Sequence, residues 1–258
     1  MENTALITWA SSWIGRELAI IHAERWGNLI IVSRSKDKLI SLQEELEKKY
    51  HIKVVVIVKD LTGSNSCKEL YDEIKNLWID IEYLINNAWF GWQWFFYGRD
   101  WEDDKNMIQL NIIALTELTR YFLDDMVARK KGRILNVGST ASFMPGPLQA
   151  VYYATKSYVR SFSNALSREL KDTWITVTNL MPWATETQFK HNAWLDKTKL
   201  FKKTVPARWV AEDGYNAMLK WKMDVISWLG FIQSILVNII SMIPKKVLLN
   251  VVFDMQKK

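Results

Sequence analysis

Six continuous apolar runs, each followed by a stretch of helical length, organise the first 182 residues. They are "TALIT" (4–8), "NLIIVSR" (28–34), "KVVVIVKDL" (53–61), "IEYLINNA" (81–88), "GRILNVGST" (132–140) and "ITVTNLMP" (175–182). Runs without polar alternation mark strands whose two faces are both covered. Between them, "DKLISLQEELEKKY" sets Leu39, Leu42 and Leu46 on one helical face with charges opposite. Further helices are expected at 14–24, over "CKELYDEIKNL", from about Trp101 to Lys130, and over "AVYYATKSYVRSFSNALSREL". Strand–helix alternation with right-handed crossovers gives an α/β fold, a doubly wound parallel sheet with helices on both faces.

No internal repeat and no Pro/Gly-rich linker divides the 258 residues, so one domain is expected. Within it, 1–190 carries the sheet, and 191–258 differs in kind: a polar segment, then apolar helices. A hydrophobic content of 49% can fill a core without staples, and the lone Cys67 rules out a disulfide framework. The start "MENTALIT" has no basic region leading into an apolar run, so a cytoplasmic protein is expected. The net charge of +6 is uneven. Residues 1–198 balance 24 basic against 24 acidic groups, while 199–258 carry 10 against 4. Those cations interleave with Leu, Ile, Val and Phe. That pattern suits anionic lipid or a phosphate-bearing substrate, and no nucleic-acid partner is expected.

A sheet of this type binds ligands beyond the carboxyl ends of its strands. Those ends carry Thr8, Ser11 and Ser12, then Ser33 and Arg34, Asp60 and Leu61, Asn86 to Ala88, Ser139, and Pro182 to Thr187. A dinucleotide would lie across them, with its pyrophosphate at the start of the first helix, near Ile14. After the second strand a carboxylate selects NAD and an arginine accommodates a 2′-phosphate. Here Arg34 comes first, with Lys36 and Lys38 behind it, which predicts NADP(H). Tyr152 and Lys156 are four apart on a helix and share a face. A nearby ammonium favours a phenolate, and Ser139 could hydrogen-bond the substrate oxygen.

In order and spacing these residues resemble the short-chain dehydrogenase/reductase family over nearly the whole chain. "TWASSWIG" (8–15) stands where that family has T-G-x-x-x-G-x-G, and "NNAW" (86–89) stands for N-N-A-G. "DL" is at 60–61, "LNI" at 110–112 and "GS" at 138–139. "YYATK" (152–156) begins thirteen residues beyond Ser139, and "PWATET" (182–187) stands for P-G-x-x-x-T. The resemblance implies a Rossmann-type fold, a small-molecule carbonyl or alcohol substrate and a homo-oligomer. It implies Tyr152 as acid–base residue, Lys156 lowering its pKa, Ser139 orienting the substrate oxygen and Asn111 positioning a relay water. It implies cofactor contacts from Thr8, Ser11, Ser12, Ile14, Arg34, Asp60, Leu61, Asn87, Ala88, Tyr152, Lys156, Thr185 and Thr187. Residues 191–258 would form a substrate lid.

Every departure from the family pattern is a tryptophan in a glycine slot: Trp9, Trp13, Trp89 and Trp183. The chain has 14 Trp and 10 Gly, where roughly 18 glycines are usual for this length. "ERWGN", "NLWID", "FGWQW", "DTWIT", "HNAWLD", "ARWVA", "LKWKM" and "ISWLG" also read as turns once Trp becomes Gly, and only Trp101 looks at home. Two expectations follow. One is an NADP(H)-dependent oxidoreductase acting on a hydrophobic carbonyl. The other is a non-catalytic, cofactor-deficient member of the same fold. No metal site is expected, since His22, His51 and His191 are scattered. The 19 uncharged residues 225–243 have the length of a membrane span. Gln233, Asn238 and three serines within them leave peripheral membrane contact, or a lid or subunit interface, as the alternatives.

Overall fold

The computed structural model describes residues 1–185, 204–227, 240 and 243–257. Seven strands form one parallel sheet in the order β3-β2-β1-β4-β5-β6-β7. They are β1 Thr4–Thr8, β2 Asn28–Ser33, β3 Val54–Val58, β4 Tyr83–Asn86, β5 Gly132–Val137, β6 Ile175–Pro182 and β7 Asp224–Ser227. The expected doubly wound fold is present, with all six expected strands. The seventh, "DVIS", pairs with β6 from Asn179↔Asp224 to Pro182↔Ser227. Residues 225–227, expected to open an apolar helix, therefore extend the sheet instead.

The central strands β1 and β4 are buried along their full length. Helices cover the two faces. On one, α1 Trp13–Ala23 and α2 Lys36–Tyr50 pack with the helix Ala207–Leu219 through Leu18, Ile21, Leu39, Leu46, Val210 and Met218. On the other, α3 Ser66–Asn76, α5 Leu115–Arg129 and α6 Ala150–Glu169 contribute Leu70, Ile74, Leu118, Phe122, Met126 and Leu166. Each such side chain gains about 1.5–3 kcal/mol from burial. A polar thread crosses this second core. Asn86 Nδ2 donates to Thr119 Oγ1 at 3.0 Å and to Asn136 Oδ1 at 2.9 Å, and Asn136 Nδ2 donates to Ser163 Oγ at 2.9 Å. It ties α5 and α6 to the sheet at and just below its carboxyl edge.

The single long helix expected from Trp101 to Lys130 is interrupted. α4 Trp101–Ile108 passes into α5 through a π-helical turn, Gln109–Ala114. That wider turn contains Asn111, and such turns recur at functional sites. At the end of the chain, the helix Lys245–Gln256 buries Leu248, Val252 and Gln256. No helix among the described residues is long and apolar enough to cross a membrane. Most of 225–243, and Thr187, lie outside the described residues.

Left-handed tryptophans stand before and at the start of α1 and after the ends of helices. Among the described residues, ten non-glycine residues have positive φ. Six of them are Trp9, Trp13, Trp26, Trp78, Trp174 and Trp221, and no glycine does. Trp26 and Trp221 close Schellman motifs. Their N–H groups reach Ala23 and Met218, and those of Gly27 and Lys222 reach His22 and Ala217. Trp78 follows α3 at φ 56° with 92% of its surface exposed. Its indole packs on almost nothing, so the left-handed backbone is held at a cost of about 1–2 kcal/mol. Trp78→Gly should therefore stabilise the protein by about 1 kcal/mol, read as a higher urea midpoint at unchanged m. An unmoved or lowered midpoint would refute it.

Candidate active site

The sheet order reverses between β1 and β4, and the cleft opens there. Thr8, the last residue of β1, spans it. Its hydroxyl donates to Ile85 O at 3.4 Å and accepts from the N–H of Asn87 at 2.9 Å and of Ala88 at 3.0 Å. Asn87 Nδ2 returns to Thr8 O at 3.1 Å and Trp9 O at 3.3 Å. Gly15 lets α1 lie this close: a Cβ there would stand 2.4 Å from Trp9 O and 2.5 Å from Asn87 Nδ2. Ser11 and Ile14 are buried beneath the turn, and Ser12 caps α1 with no side-chain bond.

Beside this turn is a pocket lined by Trp9, Val32, Ser33, Arg34, Lys59, Asp60, Leu61, Thr62, Ala88, Phe90 and Leu110. It has apolar walls and a polar lip. Asp60 accepts from Thr62 N at 3.0 Å and Thr62 Oγ1 at 2.8 Å, and Arg34 Nη1 lies 3.6 Å from its other oxygen. Burial works to raise the Asp60 pKa, but the Thr62 hydrogen bonds and Arg34 outweigh it and the net shift is downward. Lys59, which the sequence reading passed over, pairs with Glu69 at 3.3 Å and Glu73 at 3.5 Å. Its signal was its place one residue before Asp60 at a strand end.

On the far side of the cleft, Ser139, Tyr152, Lys156 and Asn111 come together. Ser139 Oγ caps the turn Thr140–Phe143 by accepting from Ala141 N at 3.1 Å, and its side chain hydrogen-bonds the Tyr152 phenol. Lys156 Nζ donates to Val137 O at 2.9 Å. Asn111 is pinned: its Oδ1 accepts from Phe90 N at 3.1 Å, and its Nδ2 donates to Phe90 O at 2.9 Å and Thr155 Oγ1 at 3.1 Å. Thr155, one residue before Lys156, was not singled out from the sequence. Thr185 Oγ1 donates to Trp183 O at 2.8 Å, and Thr185 bridges to Val205.

Trp89 covers the pair. Its ring lies 5.8 Å from that of Tyr152, and Lys156 Nζ stands 4.4 Å above the indole. Tyr152 is 6% exposed and Lys156 1%. Burial drives both pKa values away from useful work. It raises the Tyr152 phenol, against the Ser139 hydrogen bond, and lowers Lys156 well below an ordinary amine. Lys156 was expected to depress the phenol; in this closed arrangement desolvation wins instead.

A second polar group lies beside Tyr153. Gln256 Nε2, from the C-terminal helix, donates to Tyr153 OH at 2.8 Å, and Gln93 Nε2 donates to Gln256 O. Nothing in the sequence linked positions 93, 153 and 256. Cys67 is buried with its thiol pushed up to about 12 by burial, so it is inert at neutral pH. Among the described residues, no group of three or more His, Cys, Asp or Glu is placed to hold a metal.

A dinucleotide fits these residues at one end only. The pocket by Arg34 sets the apolar Val32, Leu61, Ala88, Phe90 and Leu110 beside the cationic Arg34 and Lys59. At the start of α1, where backbone N–H groups would receive phosphate, Trp9 and Trp13 stand with rings 6.1 Å apart. Bulk at that point is incompatible with close backbone approach.

A family model for short chain dehydrogenase matches residues 3–198. The very-long-chain 3-oxoacyl-CoA reductase of Macaca fascicularis is 30% identical over 98% of this chain and 79% of its own length. A short-chain dehydrogenase from Sphingobium yanoikuyae, solved with NADPH, superposes with a TM-score of 0.82 at 29% identity and 86% coverage of each chain. A bulky-bulky ketone specific alcohol dehydrogenase from Comamonas testosteroni gives 0.80 at 26% identity, covering 94% of this chain and 95% of its own.

If Trp89 supplies the desolvation, Trp89→Gly should lower the Tyr152 pKa. The phenolate titration would be followed by ultraviolet absorbance, with Trp89→Gly/Tyr152→Phe as the subtraction. An unshifted or raised phenol would show that the burial comes from elsewhere.

Proposed function

The chain belongs to the short-chain dehydrogenase family and is an oxidoreductase of that family, and on this premise we propose that it moves a hydride between NADP(H) and a hydrophobic ketone or its alcohol. The observation that carries the proposal is the Ser139 hydroxyl on the Tyr152 phenol, with Lys156 one helical turn along α6. Ser139 orients the substrate oxygen, and Tyr152 delivers or receives the proton on it. Lys156 favours the phenolate once water reaches the pair, and Asn111 fixes the wall by holding Phe90. Thr8, Ser11, Ser12, Ile14, Asp60, Leu61, Asn87, Ala88 and Thr185 line the cofactor's path, and Thr187, outside the described residues, is assigned to it by the resemblance alone. The cofactor is NADP(H) because Arg34, at the pocket lip, can meet a 2′-phosphate.

The substrate is bulky and apolar. The relatives named above act on very-long-chain 3-oxoacyl-CoA and on bulky ketones, and the basic excess in 199–258 suits a phosphate-bearing thioester. Residues 1–190 hold the cofactor and the acid–base groups. The described C-terminal helix is assigned to the substrate side on the strength of the Gln256–Tyr153 bond.

The test is NADPH oxidation in the Trp9→Gly/Trp13→Gly/Trp89→Gly chain, with a long 3-oxoacyl thioester and a bulky ketone as substrates. In that background Tyr152→Phe should lower turnover by about 10²–10⁴-fold and leave NADPH affinity nearly unchanged. Retention of more than about a tenth of the rate removes Tyr152 from the acid–base role.

Arg34→Asp in the same background should invert the preference between NADPH and NADH. The ratio of the two dissociation constants, by calorimetry, decides it. A parent chain that already prefers NADH overturns the assignment of NADP(H).

A further inference from the structure

We infer that the protein made in this chain's own cell carries glycine at positions 9, 13, 26, 78, 89, 174 and 221. Left-handed backbone is a property of a few per cent of non-glycine residues, enriched in Asn, Asp and His. Six of the seven positions have φ between 48° and 65°. Bulky side chains are the residues least suited to that region, and no glycine among the described residues occupies it. The side chains do not explain their own presence. Trp26, Trp78, Trp174 and Trp221 are 78%, 92%, 68% and 55% exposed. Two of these close Schellman motifs, where the residue after the helix is usually glycine.

Trp9 and Trp13 make the same case from inside the cleft. They flank a turn so tight that Gly15 admits no Cβ, and they crowd the start of α1. Trp89 has no backbone signature. It is included because its indole covers Tyr152 and Lys156, the two groups that must meet a ligand. Trp101 is the contrast: it opens α4 behind the Asp100 cap with ordinary helical backbone, and it stays tryptophan.

The inference opens the site at two points. Glycine at 9 and 13 frees the N–H groups at the start of α1 for an anion. Glycine at 89 uncovers Lys156 and the Tyr152 phenol. The mass evidence below is independent of the proposed oxidoreductase activity; the binding evidence rests on it.

Peptide mass spectrometry of the chain purified from its own cell is the direct test. Peptides spanning positions 26, 78, 174 and 221 should be lighter by the tryptophan–glycine difference at each, and the Trp101 peptide should carry tryptophan. Tryptophan masses at those four positions overturn the inference. Calorimetric titration of NADPH then compares the chain with tryptophan throughout and the Trp9→Gly/Trp13→Gly/Trp89→Gly chain. The glycine chain should bind about 100-fold tighter or better. Equally tight binding by both chains overturns the inference for the cleft. Glycine masses combined with no NADPH binding by either chain would leave residue identity standing and refute the cofactor reading.

Discussion

The Thr8 hydroxyl is the bond on which the cleft depends. A doubly wound sheet has one place where neighbouring crossovers leave in opposite directions, and here that place lies between β1 and β4. Nothing covalent holds the two strand ends in register there. Thr8 Oγ1 does so by taking two successive N–H groups from the β4 loop, and Asn87 answers with its amide on Thr8 and Trp9. The groups are buried, so breaking this exchange would strand donors away from water at about 1–3 kcal/mol each. The geometry also fixes what the next residue must be. With Thr8 held and α1 pressed in through Gly15, residue 9 has to turn left-handed within very little space.

That constraint joins stability to chemistry. A left-handed tryptophan in solvent, such as Trp78, costs backbone strain and nothing more. The same residue at 9 or 13 also crowds the start of α1, and at 89 it packs against the buried Tyr152 and Lys156. Desolvation then works against both partners of that pair. It raises the pKa of the Tyr152 phenol and lowers that of the Lys156 amine, each away from its charged form. The Ser139 hydrogen bond opposes this but does not overcome it.

Much of this was legible in the chain itself, and what was missed has physical reasons. The six strands announced themselves because burial on both faces demands unbroken apolar runs. Ser139, Tyr152 and Lys156 could be placed together because two lie one turn apart on a helix and the third closely follows the strand before that helix. β7 was hidden because its four residues run into a longer apolar stretch, and charge-free length reads as helix. The π-helical turn around Asn111 was hidden because one widened turn leaves the spacing of apolar residues in α4 and α5 almost unchanged. The contacts among Gln93, Tyr153 and Gln256 were invisible for another reason: they join loop, helix and chain end across more than a hundred residues, and no local pattern encodes that.

The Gln256 contact gives the C-terminal helix a physical reason to sit where it does. Leu248 and Val252 supply burial, yet apolar contact alone would let the helix slide along its groove. Gln256, one further turn along the same face, removes that freedom by reaching the phenol of Tyr153, whose pKa burial raises to about 12 and which remains a hydroxyl at neutral pH. Tyr153 is bonded in sequence to Tyr152, with ring centres 6.0 Å apart. A displacement of the chain's end is therefore felt first at the residue beside the proposed acid–base group. In this way the C-terminal helix and the proposed acid–base group share one short length of α6.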